Sequence, residues 1–189
     1  MRLRLLPAVL LGLSTWLMPS AAWSAWYADE RLTDDAAPSW TSPNNAFGIA
    51  AGPVANLHAI WMGGQGAPSQ VEIHYSSWDG STWAPDTVVS DVDSWPSQNP
   101  SVAVDRSGNV HVVWDDAQHD AEGSQQEVYY RARITGVWES PVRISTGVNT
   151  SKNPSLAVDS FGDCHVVWAD TRAGASRIWY RARVAGTWG

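Results

Sequence analysis

Apolar and polar residues alternate with a period of two along much of the chain, and the alternation returns at a fixed interval. Asn56-Leu57-His58-Ala59-Ile60-Trp61 is echoed by Asn109-Val110-His111-Val112-Val113-Trp114 and again by Asp163-Cys164-His165-Val166-Val167-Trp168. The tryptophans are spaced by 53 and then 54 residues. A period of two predicts half-buried strands, and a repeat near 50 residues marks a repeat architecture.

Four strands are predicted per repeat. Ser101–Val104 and Ser155–Val158 form the first. The turns Asp105-Arg106-Ser107-Gly108-Asn109 and Asp159-Ser160-Phe161-Gly162-Asp163 follow, with a positive φ expected at the glycine. The His-x-x-Trp segment is the second strand. Glu127–Arg133, Arg177–Arg183 and Glu72–Tyr75 supply the third. A fourth begins at Trp83 and Trp138, and in all three repeats a Tyr lies eight residues before that Trp: Tyr75/Trp83, Tyr130/Trp138, Tyr180/Trp188.

Four antiparallel strands in about 50 residues make one propeller blade. The expected fold is all-β, a β-propeller of four-stranded antiparallel blades with about three blades present. Its parts are an N-terminal outer strand at 26–33, blade one at 46–90, blade two at 99–145, and blade three at 153–189 without its fourth strand. About four to eight blades close a typical ring. Two readings therefore stay open: a truncated piece of a longer propeller, which is preferred, or a homodimer closing a six-bladed ring.

Residues 1–24 read as a secretory signal peptide: Arg2 and Arg4, an apolar stretch from Leu5 to Met18, then Pro19 and the small residues Ala22 and Ser24. The expected location is secreted or periplasmic. Without Arg2 and Arg4 the chain keeps ten basic against nineteen acidic residues, a net charge of −9. That balance argues against nucleic acid and anionic membrane as partners and leaves glycans open. The lone Cys164 takes the place of Val110 and Leu57 and reads as a small buried apolar residue.

In a propeller the fourth-to-first and second-to-third loops emerge on one face. Ligand-binding candidates there are Trp95, Asn99, Asp116, Asp120, Asn153, Asp170 and Arg172. Trp95 breaks the tryptophan repeat and suits stacking on a sugar ring. The repeated His58, His111 and His165 invite a metal reading, but copies a blade-width apart lie beyond the bonds of roughly 2 Å that a shared ion needs. Structural histidines, with ring nitrogens on neighbouring backbone, are expected instead. Asp105 and Asp159 read as turn-stabilising residues. No cofactor, metal or catalytic residue is assigned.

The runs Asn-Pro-Ser-Val-Ala-Val-Asp-x-x-Gly-Asn-Val-His-Val-Val-Trp and Tyr-Tyr-x-x-x-x-x-Gly-x-Trp resemble the bacterial sialidase-like propellers with BNR or Asp-box repeats, over Trp26 to Gly189. Ser77–Trp83 comes closest to the Asp-box turn, one residue short, while Ile134 and Val184 replace its Asp in the other repeats. The resemblance implies a propeller fold and opens a sialidase-type activity, with a Tyr nucleophile and three arginines on the substrate carboxylate. This chain departs from that pattern. The Arg-Ile-Pro signature is absent, and Arg131, Arg133, Arg181 and Arg183 fall in the repeated third strand, read as solvated. The preferred function is a carbohydrate-binding or recognition module. The alternatives are a fragment of a sialidase-type exo-glycosidase and a protein-interaction scaffold.

Overall fold

The computed structural model describes residues 31–33, 38–41, 48–64, 71–118 and 125–189. Their regular structure is all β, in three antiparallel sheets with no helix among the described residues. The first sheet holds β1 (Ser39–Trp40), β2 (Ile49–Ala51), β3 (Leu57–Gly64), β4 (Val71–Trp78) and β5 (Thr87–Val88). The second holds β6 (Ser97–Val104), β7 (Val110–Asp116), β8 (Glu127–Ile134), β9 (Val137–Trp138) and β10 (Val142–Arg143). The third holds β11 (Ser151–Val158), β12 (Cys164–Asp170), β13 (Arg177–Val184) and β14 (Thr187–Trp188). None of the three sheets closes into a barrel.

The repeats superpose strand on strand in register. His111 pairs with Ala132 and Trp114 with Tyr129, just as His165 pairs with Ala182 and Trp168 with Trp179. The first strands of the second and third sheets run four residues longer at their start than the alternation predicts, beginning at Ser97 and Ser151. Asn99-Pro100 and Asn153-Pro154 lie in these extensions. Proline has no N–H for the ladder, so the register shifts there, between Gln98 and Ser101 and between Lys152 and Ser155. In the first sheet the same edge is shared by β1 and β2, so that sheet begins before residue 46. The fourth strands are short: two residues each in β5 and β10, with only a single bridge at Trp83. Most of the outer strand expected at 26–33 lies outside the described residues, as do residues 1–24. The described part, Arg31-Leu32-Thr33, is not in a strand.

The turns follow from their residues. Gly108 and Gly162 adopt φ of 81° and 86°. Asp105 Oδ1 accepts the N–H groups of Ser107 and Asn109, both at 2.8 Å, and Asp159 Oδ1 accepts those of Phe161 and Asp163. Both aspartates thus stabilise turns, as expected. Asp79 works alike in its exposed turn. Bonds from the Thr82 N–H and from Ser81 hold its carboxyl down at about 2.

Two apolar layers hold the sheets together. Ile60, Met62, Ile73, Tyr75 and Val89 of the first sheet pack on Val102, Val110, Val112 and Trp114 of the second. Val113, Val128, Tyr130, Ala132 and Ile144 of the second pack on Leu156, Cys164, Val166 and Trp168 of the third. The middle sheet is covered on both faces, so β7 is buried at every position. The near-identical β12 is covered on one face and alternates between buried and more open. Cys164 is fully buried, as its place in the repeat predicts.

The strand arginines are not merely solvated. Arg131 donates from Nη1 to Val89 O of the preceding sheet at 2.5 Å, and from Nε to Glu139 O at 2.6 Å. Arg181 does the same toward Ile144 O and Gly189 O, both at 2.6 Å. Arg133 and Arg183 lie over Tyr75 and Tyr130 of the sheet before. Each guanidinium bridges neighbouring sheets, because it is long enough to reach a carbonyl left free at the end of a short fourth strand. Arg131→Met keeps the apolar stem and removes both charged bonds. It is expected to lower the unfolding free energy by about 2 kcal/mol in urea titration. A loss under a few tenths would mean the bridge is ornamental.

Candidate functional site

The strand ends on one side of the sheets gather the polar residues. Asn99 and Asn153 both sit at the register shift with positive φ, 52° and 58°. Asparagine tolerates this left-handed region better than most residues, although a following proline disfavours helical backbone before it. A buried carboxylate supports both. Asp115 accepts Asn99 Nδ2 at 3.0 Å and the Asn153 N–H at 2.8 Å on Oδ1. Burial pushes the Asp115 carboxyl up to about 7, against the pull of those hydrogen bonds. The positions equivalent to Asp115 are Met62 in the first sheet and Ala169 in the third. The Asn99 N–H accordingly meets Met62 Sδ at 3.4 Å.

Asp116 and Asp170 close the strands β7 and β12. A residue two positions on shares a face of the strand, so Trp114 and Trp168 aim their indole N–H groups at these carboxylates, at 3.0 and 3.2 Å. Ser97 and Ser151 donate to the same oxygens at 2.6 and 2.8 Å. The following loops donate backbone N–H groups, from Gln118 to Asp116 and from Arg172 to Asp170. Arg172 adds Nε and Nη2 to Asp170 Oδ2 at 2.9 and 2.5 Å. Burial alone would raise the Asp170 carboxyl, but the bonds from Arg172, Ser151 and Trp168 bring it down to about 2. Asp116 has no such arginine, and burial raises it.

Several expected ligand residues are therefore internal. Asp116 and Asp170 are buried, with their oxygens engaged in holding loops. Asn99 is buried on Asp115. Three candidates remain reachable. Asn153 is exposed on its anchored backbone. Arg172 is half-buried, with its guanidinium carbon over Trp179, 4.1 Å from the ring centroid. Trp95 is half-buried, its backbone N–H on Asp93 Oδ1 at 2.6 Å. Asp120 lies outside the described residues. Trp95, Asn99 and Asp116 thus gather where the first sheet meets the second. Asn153, Asp170 and Arg172 gather at the end of the β11–β12 pair, and Asp115 links the two groups.

The three histidines are structural, though not through backbone. Each Nδ1 meets the hydroxyl of its own sheet's tyrosine: His58 with Tyr75 and His111 with Tyr130 at 2.7 Å, His165 with Tyr180 at 2.8 Å. Asp105 and Asp159 stand 3.6 and 3.5 Å from Nε2 of His111 and His165.

Two acids escaped the sequence reading. Glu72 and Glu127 are fully buried, Glu72 beside Ser97 of the first strand. Glu72 Oε2 accepts Ser90 Oγ at 2.7 Å, and Ser145 donates to Glu127 Oε2 in the same arrangement. The recurrence of Glu-Ile-His-Tyr as Glu-Val-Tyr-Tyr was the available signal.

No known family model matches the chain, and no curated protein matches it. Among solved structures the chain is similar to a fucose lectin from Kordia zhangzhouensis in complex with methyl-fucoside. The two are 14% identical with a TM-score of 0.44, over 75% of this chain and 96% of that one.

Proposed function

We propose that this chain is a carbohydrate-binding module, secreted or periplasmic, whose sheets are consecutive blades of a sialidase-like β-propeller. The observation that carries the binding reading is Arg172. Its guanidinium carbon lies over the Trp179 ring, and Nε and Nη2 are pinned to Asp170, while Nη1 serves neither bond. A planar donor fixed in advance beside an aromatic ring is suited to paired sugar hydroxyls, because little side-chain entropy remains to be lost on binding. Asn153 adds an amide on a locked backbone at the same end of β11 and β12, and Trp95 offers an indole in the neighbouring loop. The blade reading is supported by the repeated register, the serial packing and the arginine bridges.

The test is a glycan array probed with the full chain, followed by titration calorimetry on any hit. Binding is expected, and Asn153→Gly is expected to weaken it at least tenfold. Glycine adopts positive φ freely, so that variant should melt within a few degrees of the wild type. Arg172→Lys, which keeps the charge and loses the fork, should weaken binding similarly. Silence across the array defeats the carbohydrate reading, and turnover of a fluorogenic sialoside would replace it with the glycosidase.

A further inference from the structure

We propose that Asp115 is the positioning residue of the candidate ligand site. It holds the backbone of Asn153 across the junction of the second and third sheets, and the site binds its ligand more tightly with this carboxyl ionised than protonated. What the site takes rests on the carbohydrate reading above, whereas the hold on Asn153 lies between two described sheets and stands without it. The repeat isolates the residue. One register position is filled by Met62 in the first sheet, Asp115 in the second and Ala169 in the third. A fully buried acid is costly. The sister sheets do without one, so the shared fold does not demand it here.

Both partners of Asp115 are asparagines at positive φ, 52° at Asn99 and 58° at Asn153, and each is followed by a proline. Such a backbone is disfavoured, and its N–H needs an acceptor outside the ladder. At Asn153 that N–H reaches Asp115 Oδ1 in the neighbouring sheet, at 2.8 Å. At Asn99 it meets the Met62 thioether at 3.4 Å, a weak acceptor. The second junction therefore has a charged anchor where the first has sulfur. Arg172 belongs to the same junction. A methyl group on Gly147, in the connection from the second sheet to the third, would stand 3.2 Å from its Nε.

The proton acts on this anchor. A hydrogen bond to an ionised acceptor is roughly twice as strong as one to a neutral acceptor. Protonation also turns one oxygen into a donor facing the Asn99 amide, which donates to Oδ1 at 3.0 Å and to Oδ2 at 3.3 Å. That amide must turn over to accept, and the Asn153 N–H keeps the weaker acceptor. Burial pushes the Asp115 carboxyl up to about 7, against the bonds from Asn153 and Asn99. The Asp116 charge pushes the same way, and that of Lys152 in β11 opposes it. Across the ladder Gln98 of β6 and Val128 of β8 are uncharged. Glu127 of β8 lies opposite Asp116, and Asp170 of β12 is paired with Arg172. The ionised fraction rises with pH, so the hold tightens from pH 6 to 8. Burying that charge lowers the stability of the whole fold over the same range while it strengthens this one contact.

The experiment is an amide nuclear magnetic resonance titration of the full chain from pH 5 to 8, with Asp115→Asn alongside. The Asn153 amide proton of the wild type is expected to move downfield as pH rises, with a midpoint at about 7. In Asp115→Asn, which keeps the shape and a carbonyl acceptor, it should stay level. Should that variant fold poorly, Asp115→Ala carries the residue that the third sheet has at this register. Glycan-array binding by the wild type should be about fivefold weaker at pH 6 than at pH 8, and by the variant equally weak at both. A wild-type amide that stays level, or one that titrates alike in the variant, overturns the hold. An amide that titrates while binding is the same at pH 6 and 8 overturns the role in the site. Silence of the array at both values defeats the carbohydrate reading and the role in the site with it, and the amide titration still decides the hold on Asn153.

Discussion

Trp114→Ala is expected to lower the unfolding free energy by about 3–5 kcal/mol. The side chain is fully buried in the layer between the first and second sheets. It stacks on Tyr129 at 6.0 Å and donates its indole N–H to Asp116. Truncation opens a cavity where sheets on both sides are already packed, so the site has little room to collapse. It also takes a donor from a buried carboxylate, which adds to the cost. Trp40→Ala is the control: that ring is 47% exposed and should cost less than about 1 kcal/mol. Urea unfolding of both variants settles the matter. A Trp114 loss no larger than that of Trp40 would mean that the layer is not the main source of stability.

The repeated tryptophan marked the sheets from sequence because burial on a pleated surface imposes a period of two, and repeat length imposes the interval. The outcome is less legible where residues act through partners far along the chain. Arg-Ala-Arg in β8 and β13 alternates like a solvent-facing strand. Its partners are the carbonyls of Val89 and Ile144, 42 and 37 residues away, and no local pattern encodes that reach. Asp116 and Asp170 pointed to a ligand because they end strands on the polar rim. The Trp-x-Asp spacing places indole and carboxylate on one face, so the chain itself satisfies those acids. Asn153 kept its place in the candidate site because Ala169 offers its side chain no acceptor, while Asn99, with the same positive φ, is bound to Asp115. The difference between these sister residues is set by Asp115 against Ala169, one substitution in an adjacent strand. Turn chemistry was the most local and the most readable. Asp105, Gly108, Asp159 and Gly162 interact within five residues, and all four do what their residue types dictate.

Stability should fall as pH rises from about 5 to 8, and Glu72 is expected to be a principal cause. Its carboxyl is fully buried, and burial pushes it up to about 7, from an ordinary value of 4.5, despite bonds from Ser90 and Ser97. The nearby Asp116 charge pushes the same way. Ser97 Oγ is placed to donate to Asp116 Oδ2 at 2.6 Å and to Glu72 Oε2 at 3.2 Å, so its single proton is shared and serves Glu72 only weakly. Among the described residues Glu72 Oε1 makes no well-formed hydrogen bond, which is costly for a charged oxygen and cheap for a neutral acid, and the Asp93 backbone N–H offsets this only in part. Between 4.5 and about 7 the folded state therefore binds more protons than the unfolded one. Linkage then makes stability fall through that window and level off above it, by an amount on the order of 3 kcal/mol. Asp115, also raised to about 7, adds a term of the same sign. Asp170 and Asp79, held at about 2, act oppositely, and their contribution is lost only as pH falls below about 4; His58 and His111, lowered by burial from 6.5, also act oppositely up to that pH, so the fall is steepest above it. Glu72→Gln keeps the shape and an acceptor for Ser90 and removes the charge. The variant should match the wild type near pH 5, exceed its urea midpoint at pH 8, and show a shallower decline between. A wild-type midpoint that stays level from pH 5 to 8, or a Glu72→Gln variant that declines just as steeply, would place the proton somewhere other than the carboxyl of Glu72.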